Sequence, residues 1–142
     1  MVQSVFRSVS AIVIALAVAV FLFMVTEGIG SWLYPLPDDF GGTIEEIAQQ
    51  VATTPALNLV LLGGLCYGLT MLAATFIATR LGYQRKAWHG YVVGAVLLGM
   101  VIMNMTMLPY PTWFWVQELL VLSVAAFFGT RLGAGQQADA AT

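Results

Sequence analysis

The sequence predicts an all-α integral membrane protein, a bundle of four transmembrane helices with a short amphipathic helix between the first and the second. Hydrophobic residues make up 60% of the 142 residues. Charged residues make up only 8%, far below the roughly 25% of a soluble domain. The mean hydropathy is +0.88. Four apolar runs each reach the length of about 18 residues or more that a membrane helix needs.

Charge and composition argue against several other classes. The formal charge of −2 comes without a basic cluster, so no nucleic-acid partner is expected. Cys66 has no partner for a disulfide, and we interpret it as a small apolar residue. His89 is the single histidine, so no metal site or cofactor is predicted, and no set of catalytic residues is recognisable.

The first span is predicted over residues 9–27. It resembles a signal peptide, but it exceeds the ~7–15 residues of a signal core, so we interpret it as a retained transmembrane helix. Small residues recur in it every four positions and would let another helix approach closely. These residues are Ala11, Ala15 and Ala19.

The loop between the first two spans, residues 28–54, contains the predicted short helix. Thr43 and Glu46 have the spacing of a capping box, and apolar residues from Ile44 to Val51 fall on one face. Such a helix would lie flat on the bilayer or cap the bundle. An ordinary connecting helix is favoured over a ligand lid.

The remaining spans are predicted over residues 55–80, 87–108 and 112–131. Thr54 and Pro55 form an N-cap and N1 pair for the second span. A four-residue turn makes the third and fourth spans antiparallel neighbours. The single domain is predicted to cover residues 1–133, with a mobile tail at residues 134–142.

Two GxxxG pairs, Gly64 with Gly68 and Gly90 with Gly94, predict close packing between the second and third spans. Residues 74–82 also resemble residues 125–133. The match indicates either two tandem hairpins or, more simply, two helices that end on the same signal.

The basic residues predict the orientation. With four spans, all of them fall on one side, so the positive-inside rule puts both termini in the cytoplasm and the acidic loop outside. These residues are Arg7, Arg80, Arg85, Lys86 and Arg131.

Three polar residues are predicted to meet near the outer face. From the rise of 1.5 Å per residue, Asn104 lies roughly 6–8 Å below the outer turn and Glu118 roughly 10 Å. Glu27 reaches a similar depth. Glu118 shares its face with Ala125 and Gly129, and these small residues mark that face as the one that packs inward. The cluster is interpreted either as a binding site for a proton, cation or amine, or as a polar contact that fixes helix register.

Several short motifs together resemble an uncharacterised family of short bacterial four-helix transmembrane proteins. They are Glu-Gly at 27–28, Tyr-Pro-Leu-Pro at 34–37, Thr-Pro at 54–55, Arg-Leu-Gly at 80–82 and Pro-Tyr-Pro-Thr-Trp-Phe at 109–114. The resemblance implies a bacterial inner-membrane setting. It carries over no activity and no functional residues.

The expected function is therefore non-enzymatic: an accessory, interaction or lipid-contacting subunit whose partners are the lipid bilayer and either further copies of itself or a larger membrane complex. The alternative is a small oligomeric transporter or channel subunit that binds a proton or cation at Glu118 and Glu27. A lipid-modifying membrane enzyme is the third and least favoured interpretation.

Overall fold

A computed structural model of the chain describes residues 2–35 and 37–135. Within these residues the fold is all-α and contains no strand, as the sequence predicts. Five main helices follow one another: α1 Val2–Leu33, α2 Ile44–Thr53, α3 Ala56–Leu81, α4 Trp88–Met107 and α5 Thr112–Ala134. All except α2 are long and apolar enough to cross a membrane.

The first helix is longer than its predicted span of residues 9–27. α1 has 32 residues, which at 1.5 Å per residue is about 48 Å, well beyond a hydrocarbon core of about 30 Å. No proline interrupts it, and it ends at Leu33 because the residue before Pro35 is disfavoured in a helix.

The start of α2 has the predicted capping box. The Glu46 amide donates to the Thr43 hydroxyl at 3.3 Å, and the Thr43 amide donates to the Glu46 carboxylate at 3.0 Å. α2 buries none of its residues. It is therefore held more by its own cap than by packing on the bundle.

The start of α3 differs from the prediction by one residue. Pro55 is the N-cap, while Thr54 caps the end of α2, where its hydroxyl donates to the Gln50 carbonyl at 2.7 Å. A π-helical stretch over Leu59–Tyr67, which the sequence did not predict, follows the first turn of α3.

The third helix, α3, is central and packs against α1, α4 and α5. Its broadest contact is with α5, which runs parallel to it. The predicted pairing of the GxxxG motifs is wrong in one respect: Gly64 and Gly68 face Gln117 and Val121 of α5, not α4. A small-residue motif provides a groove, but it does not specify which neighbouring helix fills it.

The second glycine pair lies between two helices. Gly90 faces Thr79 of α3 and Thr130 of α5. Gly94 faces Thr75 of α3 and Ala126 of α5. These are matching positions of the two similar segments, 74–82 and 125–133. The repeated segments therefore take up equivalent places on either side of α4.

The two ends of the bundle differ in charge. The Arg7 side chain at the start of α1 donates to the Leu81 carbonyl at the end of α3, at 3.0 Å. This end, called the basic end, carries all five lysine and arginine residues of the chain, named above. The opposite end, called the loop end, carries residues 34–35 and 37–54 and the turn 108–111.

An apolar core fills the middle of the bundle. It includes Met71, Val93, Leu97 and Leu122, and the predicted ridge on α1 contributes Ala15 and Ala19. Of the predicted tail, Ala134 is buried at the end of α5. Residues 136–142 lie outside the described residues.

Candidate functional site

A cavity of about 440 Å³ lies at the loop end of the bundle. Two of the three predicted site residues, Glu27 of α1 and Asn104 of α4, line this cavity, and both are exposed. The third, Glu118 of α5, is fully buried and does not line it. Among the described residues, no hydrogen bond joins the three residues to one another.

Glu27 is instead paired with Tyr67, a residue that the sequence did not single out. The Tyr67 hydroxyl donates to Oε1 of Glu27 at 2.5 Å. The Tyr67 ring also packs edge-on against Phe23, with ring centroids 5.0 Å apart. No other hydrogen bond to this carboxylate is found among the described residues, so Oε2 is left for a further donor.

Aromatic side chains form much of the cavity wall: Tyr34, Phe40, Tyr67, Tyr110 and Phe114. Tyr110 stacks on Phe114 with ring centroids 4.9 Å apart and an interplanar angle of 22°. The face of an aromatic ring carries partial negative charge, which attracts cations. The ring-lined cavity therefore reinforces the negative charge of Glu27.

Glu118 lies behind this wall. Its side chain is 0% exposed, and neither carboxyl oxygen has a hydrogen-bond partner. A Cβ added to Gly63 would lie 2.6 Å from the Phe114 ring and 3.0 Å from Oε2 of Glu118. Since Gly63 and Phe114 both line the cavity, they form the layer between the cavity and the buried acid.

The π-helical stretch of α3 provides two of these positions. It begins at Leu59 and ends at Tyr67, with Gly63 and Gly64 buried in its middle. A π-helix closes its hydrogen bonds over five residues instead of four, which rotates the side chains relative to an α-helix, and such stretches often occur at functional sites. Here the stretch carries both Gly63, beside Glu118, and Tyr67, beside Glu27.

The electrostatics at the loop end are negative. Burial raises the pKa of Tyr110 above its ordinary value of 10.0, and the negative charge of Glu27 raises this pKa further. Each of the described acidic residues lies at this end or, as Glu118 does, just below it, and the basic residues are at the other end. Nothing cationic among the described residues therefore neutralises the cavity.

The site offers one carboxylate, phenol hydroxyls and amides among aromatic rings. Within the described residues, no three His, Cys, Asp or Glu side chains lie close enough to hold a metal ion. Such a set of groups is suited to binding an organic cation. Comparison with protein-family models, with curated proteins and with solved structures gives no match to this chain.

Proposed function

We propose that this chain is a non-enzymatic, multi-pass protein of the bacterial inner membrane that binds an organic ammonium group in the loop-end cavity. It would act as an accessory or lipid-contacting subunit. The observation that carries the proposal is the Glu27 carboxylate, which lines an aromatic-walled cavity with Oε2 open and no cation beside it.

The membrane setting is supported by the four long apolar helices and by the charge difference between the two ends. Under the positive-inside rule, the basic end and both termini face the cytoplasm, and the cavity opens to the outside. α2 then lies as an amphipathic helix at the outer surface, with Ile47 and Val51 toward the cavity.

An ammonium group fits the cavity better than an anion does. The attraction between a cation and a carboxylate 4 Å apart near a protein surface is about 4 kcal/mol before desolvation. Each ring face adds roughly 0.5–2 kcal/mol. A phosphate would meet only negative and neutral groups among the residues that line the cavity.

The test uses choline as the probe and calorimetry on the purified protein in detergent micelles. We expect a Kd of roughly 10 µM to 1 mM, as for a small ligand with one charged contact. The uncharged isostere, in which carbon replaces nitrogen, should bind at least tenfold more weakly. Equal binding of the two compounds would contradict the proposal.

A matched pair of variants tests the role of Glu27. Glu27→Gln should weaken choline binding by about 10–100-fold, or about 1.4–2.8 kcal/mol. Glu45→Gln removes the same charge from an exposed residue that does not line the cavity, so it should leave Kd within about twofold of the wild type. A similar loss of choline affinity in both variants would show that the effect comes from net charge and not from a contact between Glu27 and choline.

The ammonium group has two possible sources, a free amine or the headgroup of a lipid. Nanodiscs of phosphatidylethanolamine and of phosphatidylglycerol distinguish them. If a lipid headgroup is the ligand, the ethanolamine lipid should compete with choline and raise its apparent Kd. If a free amine is the ligand, the two lipids should give the same Kd.

A second candidate is the small oligomeric transporter or channel subunit, with Glu118 and Glu27 binding a proton or cation. It is favoured by Glu118, because buried acids in membranes often mark ion pathways. The apolar core of Met71, Leu97 and Leu122 closes the path toward the basic end. Choline flux into proteoliposomes no faster than into empty liposomes would eliminate this candidate.

A further inference from the structure

Among the described acidic residues, Glu118 alone is fully buried, and it does not line the cavity. Both of its carboxyl oxygens lack a hydrogen-bond donor. Leaving a charged carboxylate in such a place is far more costly than leaving a neutral carboxylic acid. An acid in these surroundings carries its proton unless a positive charge comes close.

The groups that face Glu118 supply no such charge. The ionisable groups near Glu118 are Tyr67 on α3 and Tyr110 in the turn after α4, and Glu27 on α1 lies near both tyrosines. None of the three carries a positive charge in either protonation state, so none can form an ion pair with a charged Glu118. The ionisable groups of α4, His89 and Tyr91, lie in its first turn, at the basic end. Asn104 of α4 carries no charge, and α2 is not among the helices that pack closely on α5.

The cavity is where a positive charge can come close. Gly63 and Phe114 line the cavity and lie against Glu118 on its other side. The π-helical stretch carries both Gly63, beside Glu118, and Tyr67, whose hydroxyl donates to Glu27. A cation held by Glu27 therefore acts on Glu118 through a short path of low dielectric, where Coulomb energies are large.

We propose that Glu118 is a proton-binding site coupled to the cavity, and that it releases its proton when an organic ammonium group occupies the cavity. The O–H bond of the carboxyl group breaks and the proton leaves to the solvent, with Phe114 moving aside. The ammonium group brings one positive charge into the cavity, and the proton takes one positive charge away from Glu118. This inference rests on the proposed ammonium site and adds to it an exchange of ligand for proton.

The sign of the pH dependence follows from linkage. Because the free protein holds a proton that the complex has lost, a higher pH favours the complex. While Glu118 is protonated in the free protein, affinity for choline should rise about tenfold per pH unit. The Glu118→Gln variant has no proton to release at this position. Its affinity for choline should therefore not rise with pH.

Calorimetry of choline binding in two buffers with different ionisation enthalpies counts the protons released. The wild type should release up to one proton per choline bound, and Glu118→Gln should bind choline and release none. Binding without proton release in the wild type, or the same release in both proteins, would overturn the coupling and leave the ammonium site intact. Absence of choline binding would overturn the ammonium site as well.

Infrared difference spectroscopy tests the proton site without any ligand. The wild type at neutral pH should show the carbonyl stretch of a protonated carboxyl group, and Glu118→Gln should lack it. Choline should reduce this band in the wild type. A wild type without the band would contradict the inference whatever choline does, and Glu45→Gln, which should keep the band, controls for the surface acids.

Discussion

At the basic end, α3, α4 and α5 approach one another through glycines. The buried Thr75, Thr79 and His89 side chains there have hydrogen-bond partners, and the neutral Thr130 hydroxyl is the buried group that has none. At the loop end, the same helices leave a cavity of about 440 Å³, a π-helical stretch and the unpartnered Glu118. Close packing stabilises the first half. The loop-end half is less closely packed and leaves a buried acid without a hydrogen-bond partner, which is common at functional sites.

The largest expected effect tests the close packing of the basic half. A Cβ at Gly129 would overlap the Thr75 hydroxyl and the Leu72 carbonyl oxygen, so α3 and α5 would have to separate. Gly129→Ala should lower the free energy of unfolding by about 3 kcal/mol. Denaturant unfolding in micelles measures this change.

Gly99→Ala is the matched control for that substitution. Gly99 lies within α4, and a Cβ there would meet nothing within 4 Å. This variant should be neutral or more stable by up to about 1 kcal/mol, because alanine favours a helix. If both variants lost stability equally, close packing would not distinguish the two positions.

The next effect has the opposite sign and comes from the loop half. Glu118→Met replaces an unpartnered acid with an apolar side chain, which removes the cost of a buried polar group. Stability should rise by about 1–2 kcal/mol. A loss of stability instead would show that Glu118 fixes the register of the helices, the structural interpretation left open by the sequence.

A smaller effect tests polar pairing at the basic end. Nε2 of His89 and the Ser8 hydroxyl are 2.9 Å apart, and they join α4 to the start of α1. Ser8→Ala should cost about 1 kcal/mol of unfolding free energy. Ser31→Ala, which removes only an exposed bond to the Glu27 carbonyl, should cost little. Equal losses in the two variants would count against this interhelical bond.

The smallest effect is local to α2 and depends on pH. The backbone N–H of Thr43 lowers the pKa of Glu46 below its ordinary value of 4.5. Because the folded-state pKa is lowered, the stabilisation of α2 is present above 4.5 and is lost as the pH falls through the folded-state pKa. Amide exchange in α2 should quicken over that window.

Glu46→Gln is the control for the pH effect, since glutamine can also complete a capping box but does not titrate. In that variant, α2 should keep its protection at low pH relative to the wild type. If α2 in the variant lost protection over the same pH window, a group other than Glu46 would be responsible.

The fold and the polarity of the bundle could be predicted because they depend on local patterns. Apolar runs predict the long helices, and the spacing of Thr43 and Glu46 predicts the start of α2. The distribution of basic residues predicts which ends lie together, as the contact of Arg7 with Leu81 bears out. Each of these signals can be read along the chain without knowing which helices are neighbours.

The candidate site could be predicted only in part. Glu27, Asn104 and Glu118 are conspicuous polar residues in apolar runs, but whether they meet depends on how α1, α4 and α5 are rotated about their axes, which no local pattern specifies. Tyr67 is amphipathic, so its position in an apolar run gave little indication that it binds Glu27. The partners of Gly64 and Gly68 were missed for a similar reason. A pair of glycines predicts a groove on a helix, but it does not specify which neighbouring helix packs into that groove.

The most direct test of the ammonium site is anomalous X-ray scattering from crystals of the protein grown with arsenocholine, in which arsenic replaces the choline nitrogen. We predict a peak in the loop-end cavity, within about 4–6 Å of the Glu27 carboxylate and the nearby aromatic rings. No peak in the cavity, or a peak only elsewhere on the protein at saturating arsenocholine, would contradict the proposal that this half of the bundle is built to bind a cation.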